Sequence, residues 1–365
     1  MNKRITKRHW LLTPLTLIYR VITGVRNKFF DWKILPSEEF DLPIISVGNL
    51  TVGGTGKTPH TEYLINLLKN KKNIAILSRG YKRKSKGFRL ATPSSSAKEI
   101  GDEPYQIKAK HPNILVAVDS DRRHGIHLLC ENSTSKNVEV IILDDAFQHR
   151  YVKPGINIVL MDYNRPIYED TLMPTGMLRE PISSLERAHI VIVTKCPQSI
   201  KPIDFRIVAK NLDLRPYQQL FFTTFKYGDL RMFAATNQQK GLPSLTPDTH
   251  ILLVTGIASA ELLIKELHEH TDHVIHMEYD DHHDFNHTEL KDIKKRFESI
   301  NAIDKLIITT EKDAARLSTH ELDEVITNNL YILPIEVEFL QGQQTTFKNY
   351  STDYVNKNSR NRIVH

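Results

Sequence analysis

The stretch Val47-Gly48-Asn49-Leu50-Thr51-Val52-Gly53-Gly54-Thr55-Gly56-Lys57-Thr58-Pro59 constrains the fold more than any other part of this chain. It follows an apolar run, Pro43 to Val47, that reads as a buried strand. It precedes Thr61 to Leu68, whose apolar spacing suits a helix. Strand, glycine-rich turn and helix is the context of a phosphate-binding loop, the P-loop. Glycines let successive backbone N–H groups point at one anion, and the helix start adds free donors and a positive dipole end. The strict G-x-x-x-x-G-K-[ST] pattern fails only at its first position, where Thr51 stands. On this reading Asn49, Thr51, Val52, Gly53, Gly54, Thr55, Gly56, Lys57 and Thr58 form a nucleotide site. Lys57 would reach the β- and γ-phosphates, and the Thr58 hydroxyl would ligate Mg²⁺. The competing reading is an ordinary glycine turn before a helix.

The surrounding pattern predicts the sheet that such a loop needs. Apolar runs at Ile74–Leu77, Ile114–Val118, Val138–Leu143, Ile156–Met161 and Ile190–Thr194 read as strands, with helical patterns between them, such as Asp121–Cys130. This alternation predicts an α/β fold with a parallel sheet covered by helices on both faces. A second series of strands begins at Leu220–Phe225 and continues at Ile251–Val254, Val274–Met277, Leu306–Thr309 and Leu330–Ile332. Helices are expected at Ala260–Glu269, Thr288–Ser299 and Lys312–Leu317, and a loop over Thr236–Thr249. The expected division is an N-terminal segment (1–32), a P-loop domain (33–217), a smaller α/β domain lining the substrate cleft (218–340) and a polar tail (341–365). At 365 residues the chain is long enough for two such cores, and its two cysteines exclude a disulfide framework.

An apolar strand ending in Asp144-Asp145 is what a Mg²⁺-binding strand beside a P-loop looks like. Either carboxylate, at the carboxyl end of a parallel strand, could hold the ion or its water. Guanine-specific relatives of this architecture carry an [NT]-K-x-D segment after a late strand. Here Thr194-Lys195-Cys196-Pro197 puts proline where the carboxylate belongs, which favours ATP over GTP.

The net charge of +6 calls for an anionic partner. Lys3, Arg4, Lys7, Arg8, Arg20, Arg26 and Lys28 precede the first acidic residue, Asp31, and flank the run Trp10 to Tyr19 with Val21, Ile22 and Val25. Arg20 interrupts the run too early for a bilayer span, and no A-x-A-like cleavage site follows. The pattern predicts a helix lying in an anionic membrane interface, with Trp10 and Tyr19 at headgroup level, rather than a nucleic-acid surface. The alternative is a helix packed on the protein's own core.

Seven short motifs occur in a fixed order. They are the P-loop with its leading Gly48-Asn49 and trailing Pro59, Ser78-Arg79-Gly80-Tyr81, Gly101-Asp102-Glu103-Pro104, Asp144-Asp145-Ala146-Phe147-Gln148-His149, Leu178-Arg179-Glu180-Pro181, Asp281-His282-His283 and Thr310-Glu311-Lys312-Asp313-Ala314. The series resembles that of the tetraacyldisaccharide 4'-kinases, lipid A pathway enzymes that phosphorylate a membrane-embedded glycolipid. Ala146 stands where that family usually has Gly, and His283 is an extra histidine beside His282. The resemblance implies transfer of the ATP γ-phosphoryl group to the 4'-hydroxyl of a tetraacylated disaccharide 1-phosphate. It also implies a peripheral enzyme on the cytoplasmic face of the inner membrane. It makes Asp102 the catalytic base and His282 the residue that orients it. The competing reading of Asp102 is a helix N-cap. Arg79, Arg122 (or its neighbour Arg123), Gln148, Arg179 and Glu180 are candidates for contacts to substrate or phosphate. Two other classes compete: a membrane-associated partitioning or targeting ATPase, and a scaffold with a decayed P-loop. Partitioning ATPases carry a second lysine just before the glycine pair, where this chain has Val52, and intact Lys57, Thr58, Asp144 and Asp145 speak against decay.

Overall fold

The computed structural model describes residues 10–131, 137–234, 239–281 and 283–360. The chain begins with a short turn and α1 (Thr13–Asp31), then runs β1 (Ile44–Asn49), α2 (Lys57–Leu68), β2 (Ile74–Ser78), β3 (Arg89–Leu90), α3 (Ala97–Ile100), α4 (Asp102–Lys110) and β4 (Leu115–Val118). It continues with α5 (Arg122–Glu131), β5 (Val140–Asp144), β6 (Ile156–Asp162), β7 (Ile190–Thr194), α6 (Pro202–Leu212) and β8 (Gln219–Tyr227). Next come β9 (Leu230–Met232), β10 (Gln239–Lys240), β11 (His250–Thr255), α7 (Glu261–His268), β12 (His273–Glu278) and α8 (His287–Glu298). The last elements are β13 (Lys305–Thr310), α9 (Glu311–Leu317), α10 (Glu324–Asn329), β14 (Leu330–Leu333), β15 (Ile335–Phe339) and α11 (Gln344–Arg360).

The larger sheet has the order β15-β8-β7-β6-β1-β5-β2-β4-β3. From β8 to β4 its neighbours are parallel, and antiparallel β15 and β3 close its edges. Strands β1, β5 and β7 are buried at every position, as continuous apolar runs in a sheet covered on both faces must be. Because β1 lies between β5 and β6, the chain leaves it at a crossover in strand order, where open α/β sheets bind ligands. The smaller sheet, β10-β9-β14-β13-β11-β12, is parallel around β11 and β13, with β9 and β10 antiparallel at one edge.

The structure corrects the expected boundaries in two places. Leu220–Phe225 does not open the second unit: β8 pairs with β7 in the larger sheet, and β15 pairs back onto β8. The stretch after residue 341 is also no polar tail through residue 360. Helix α11 buries Phe347 and Val355, with Tyr350 and Tyr354 packed on the same core. Its apolar positions are sparse in a polar sequence, but at i, i+3, i+7 and i+8 they share one face. Phe347 meets Phe339, Phe221 and Tyr63 at centroid distances of 4.6, 5.4 and 5.8 Å.

Helix α1 is docked along one side and bare along the other. Phe30 is buried, Tyr19 Oη donates to the Arg179 carbonyl at 2.8 Å, and Arg26 donates to the Gln148 carbonyl at 3.1 Å. Leu15, Ile18, Val21, Ile22 and Val25 remain exposed, Val21 by 63% and Ile22 by 61%. No helix among the described residues is long and apolar enough to cross a membrane.

Truncating Phe347 to Ala is expected to destabilise the protein by about 3–5 kcal/mol, as large-to-small changes in a packed aromatic cluster do. Chemical denaturation measures this. A loss below about 1 kcal/mol would return α11 to the status of a tail.

Candidate active site

The P-loop is held open by its own backbone and by braces from neighbouring strands. Gly53 and Gly56 adopt φ of +99° and +84°, which L side chains rarely tolerate. At Gly48 a Cβ would fall 2.7 Å from the Cβ of Phe147, so only glycine lets β1 pass this close to the turn after β5. Inside the loop Asn49 Nδ2 donates to Thr55 Oγ1 at 2.9 Å. From β7, Thr194 Oγ1 donates to the Thr55 carbonyl at 2.9 Å. Lys195 Nζ donates to the Gly54 carbonyl and to Asp162 Oδ2. The lysine of the failed guanine motif is thus spent on the loop itself. Gln148 Nε2 donates to the Asn49 carbonyl at 2.7 Å, so this residue braces β1 as well.

His60, one turn into α2, adds a brace that the sequence did not reveal. Nδ1 lies 2.7 Å from the Gly56 carbonyl and Nε2 lies 3.0 Å from Thr223 Oγ1. A carbonyl only accepts, so Nδ1 carries the proton and Nε2 accepts from the threonine. Burial lowers the ring to about 4, which keeps it neutral.

The two carboxylates at the end of β5 have opposite environments. Asp145 takes φ of +46°, which swings its side chain toward Lys57 at 3.7 Å and Arg179 at 3.1 Å. Burial works to raise its pKa, but Lys57 and Arg179 outweigh it and hold the carboxyl below its ordinary value. Asp144 is buried with two long contacts, Thr61 Oγ1 at 3.5 Å and Ser78 Oγ at 3.3 Å. Burial first, then the charges of Glu103 and Asp145, push it up to about 7. A buried carboxylate with no salt bridge among the described residues fits a cation, so Asp144 is the better suited of the two to Mg²⁺, with the Thr58 hydroxyl as the partner that the loop pattern offers. Asp145 already faces two cationic side chains. No group of three or more His, Cys, Asp or Glu among the described residues could hold a metal alone. Mg²⁺ is commonly held by one or two carboxylates plus substrate phosphate.

The arginines separate by position. Arg179 is delivered by a strand-like segment running along the P-loop. Thr51 bridges Leu178, the Val52 N–H donates to the Met177 carbonyl at 2.8 Å, and the Arg179 N–H donates to Leu50 at 2.7 Å. Glu180, the next residue, does not face the site. It is buried against Arg187, with Arg26 3.9 Å away. Arg122 is buried beside the acidic pair, reaching the Ser120 carbonyl at 3.2 Å and that of Asp145 at 3.5 Å, and desolvation lowers it to about 10. Arg123 instead pairs with Asp121 at 3.3 Å and lies over Tyr151 at 4.8 Å. Arg79 is exposed, near enough to Arg122 for their charges to interact.

Asp102 opens α4 but does not cap it, since the N-cap is Gly101 and no side-chain cap bond forms. Its Oδ2 accepts from Arg316 Nε and Nη2, both at 3.1 Å. His282 lies outside the described residues. His283 is engaged elsewhere, with Nε2 2.8 Å from Glu289 Oε2 and its ring stacked on Tyr279 at 4.9 Å. A cleft of about 430 Å³ lined by Ile257, Ala258, Glu278, Tyr279, Asp280 and Asp281 adjoins this region. Ala258 brings its rim to the P-loop, 3.3 Å from where a Gly54 Cβ would stand.

A P-loop at the end of β1, an acidic end to the adjacent β5 and a converging set of Lys57, Arg122 and Arg179 define a P-loop phosphotransferase. The sequence profile of the family described as tetraacyldisaccharide-1-P 4'-kinase (LpxK) matches residues 8–352, and the chain belongs to that family. It is 54% identical to the tetraacyldisaccharide 4'-kinase of Phocaeicola vulgatus, with 99% of each chain covered. It is 51% identical to that of Bacteroides thetaiotaomicron, over 99% of this chain and 97% of the other. Among solved structures it is similar to LpxK from Aquifex aeolicus in complex with ATP, with a TM-score of 0.71 and 28% identity over 94% of this chain and 99% of that one. The match runs the whole length of the chain, which sets aside the partitioning-ATPase and scaffold readings.

The raised pKa of Asp144 has a consequence for stability. Its folded value of about 7 lies above the ordinary 3.8, so folding takes up a proton between those limits. Stability from this group is therefore full below the ordinary value of 3.8, lost as pH rises from there through about 7, and constant beyond. Asp144→Asn removes the penalty while keeping the shape. The nucleotide-free variant is expected to melt about 2–6 °C above the parent at pH 8, with the gap narrowing as pH falls below 7 and closing only near the ordinary carboxylate value. A variant that melts below the parent at pH 8 contradicts the assigned environment.

Proposed function

We propose that the protein transfers the γ-phosphoryl group of ATP to the 4'-hydroxyl of a tetraacyldisaccharide 1-phosphate, forming the 1,4'-bisphosphate lipid A precursor. The observation that carries this reading is the array Lys57–Asp145–Arg179 at the mouth of the P-loop, in a chain that the family matches over residues 8–352. Backbone N–H groups of Gly53 to Thr58 cradle the β- and γ-phosphates, and Lys57 offsets charge that develops on the transferred group. Asp145 keeps Lys57 and Arg179 oriented toward that position. Thr58 and Asp144 would hold Mg²⁺, which supplies further charge neutralisation on the phosphate oxygens.

Asp102 acts as the base. As the 4'-oxygen forms its bond to the γ-phosphorus, the bond from that phosphorus to the β,γ-bridging oxygen breaks. The hydroxyl proton passes to the Asp102 carboxylate, and ADP leaves. His282, by resemblance, orients Asp102. His283 is bound to Glu289 and stacked on Tyr279, which favours His282 for that role. On this reading Arg122, buried beside the acidic pair, and the exposed Arg79 contact substrate or phosphate.

The acyl chains call for an apolar approach. The bare face of α1 supports docking on the cytoplasmic face of the inner membrane, its basic residues meeting anionic lipid. Because Tyr19 and Arg26 bind the carbonyls of Arg179 and Gln148, the docked helix sits against the site's own framework.

Incubation with ATP, Mg²⁺ and detergent-dispersed tetraacyldisaccharide 1-phosphate should give a lipid-linked 4'-phosphate. Lys57→Ala should lose at least about 10²-fold in turnover with an unchanged melt, the scale of losing one preorganised electrostatic group. Near-parental turnover in that variant would refute the phosphate-cradle assignment.

A second expectation concerns α1. Val21→Asp with Ile22→Asp alters only exposed positions. It should release the protein from anionic vesicles while sparing turnover on a short-chain soluble substrate. A double variant that still pellets with the vesicles shows that this face is not the anchor.

A further inference from the structure

We infer that Arg316 is a positioning residue for Asp102, additional to His282, reaching it from the unit built on the smaller sheet; this rests on the reading of Asp102 as base. Arg316 lies in the last turn of α9 and its side chain is 5% exposed. One edge of its guanidinium is anchored within its own unit, where Nη1 donates to Asp313 Oδ1 at 3.0 Å and to the Gly256 carbonyl at 3.1 Å. Asp313 is fully buried and is itself fixed, its Oδ2 accepting from the Gly256 N–H at 3.0 Å and from Thr310 Oγ1 at 2.7 Å. Thr310 caps α9 by accepting from the Asp313 N–H at 3.1 Å. The guanidinium plane is thereby set by the Gly256 turn and the start of α9. Its second edge, Nε and Nη2, is presented to Asp102. A planar fork with fixed donors can orient a carboxylate in a way that the point charge of a lysine cannot.

The other end of α4 is held by the same helix. Lys110, its last residue, lies 2.8 Å from Glu311, the first residue of α9, and 2.6 Å from Glu62 of α2. Arg231 of β9 secures Glu311 from within the second unit. Both ends of α4 are thus tied to α9, although its chain belongs to the P-loop unit. A proton acceptor must lie within hydrogen-bond reach of the attacking hydroxyl, and a misplacement of about 1 Å can cost 10²-fold. The second unit therefore helps set where the base stands, with Arg316 in direct contact with the carboxylate.

The test is a double-mutant cycle in the full-length enzyme with ATP, Mg²⁺ and detergent-dispersed tetraacyldisaccharide 1-phosphate. Arg316→Met should lower kcat roughly 10- to 10²-fold, the scale of a displaced reacting group, with KM for ATP unchanged within about twofold. Arg316→Lys should recover part of that loss. In the Asp102→Ala background Arg316→Met should cost nothing further, because the two residues act as one unit. The same fold-loss in both backgrounds, or an unchanged kcat in Arg316→Met alone, would overturn the inference. Where Arg316→Met fails to fold, Arg316→Lys, which keeps a cation beside Asp313, takes its place in the cycle and is read by the same criterion. If Asp102→Ala itself retains full kcat, the base reading falls and this inference with it. That outcome is distinct from a damaging Asp102→Ala paired with a neutral Arg316→Met.

Discussion

Two adjacent carboxylates at the end of a buried strand repel each other and lose hydration, and the architecture around the site answers that constraint. The positive φ of Asp145 turns one carboxylate toward Lys57 and Arg179. Asp144 ends the strand itself, buried, with its pKa raised by burial and by the charges of Glu103 and Asp145. This division assigns roles to two residues that look identical in sequence: one organises the cationic side chains, the other is left to attract a cation. Like charges held out of water are costly unless compensated. The compensation comes from distant parts of the chain, with Lys57 on α2, Arg122 on α5 and Arg179 on a loop beyond β6.

The same loop connects the site to the surface. The segment that carries Arg179 lies along the P-loop and gives its carbonyl to Tyr19 of α1. The helix proposed to meet the membrane is therefore part of the site's second layer rather than a detachable anchor. Helix α4, which packs into the core of the P-loop unit through Ile107, is also held by α9. Ion pairs at α4's two ends bind elements that belong to different sheets. Half-buried pairs of this kind add little net stability but fix relative placement, and placement is what phosphoryl transfer requires of a protein.

Much of this was legible in the sequence because it rests on local rules. A parallel strand buried on both faces must read as an unbroken apolar run, so β1, β2, β5, β6 and β7 stand out within one or two residues of their ends. The glycines at 53 and 56 announce their backbone requirement directly. Helix α11 was hidden because four apolar side chains on one face of a polar segment carry little signal until the core they join is known. Strand β8 was placed in the wrong unit because strand propensity does not say which sheet a strand will join. Arg316 gave no signal beyond following the Thr310-to-Ala314 motif, and Glu180 seemed joined to Arg179 by adjacency although the two side chains point to different surroundings.

By itself, the sequence determined the α/β class, the phosphate loop, the acidic strand end and the family, since each is written in contiguous residues obeying steric and periodic rules. Tertiary structure alone decided which of Asp144 and Asp145 is paired, that Lys195 and His60 brace the P-loop, that Arg122 rather than Arg123 faces the acidic pair, and that Asp102 meets Arg316. The physical reason is the range of the interactions. Backbone conformation and hydrophobic periodicity act over a few residues, whereas burial and charge pairing depend on side chains such as those of Asp102 and Arg316, brought together from positions 214 residues apart.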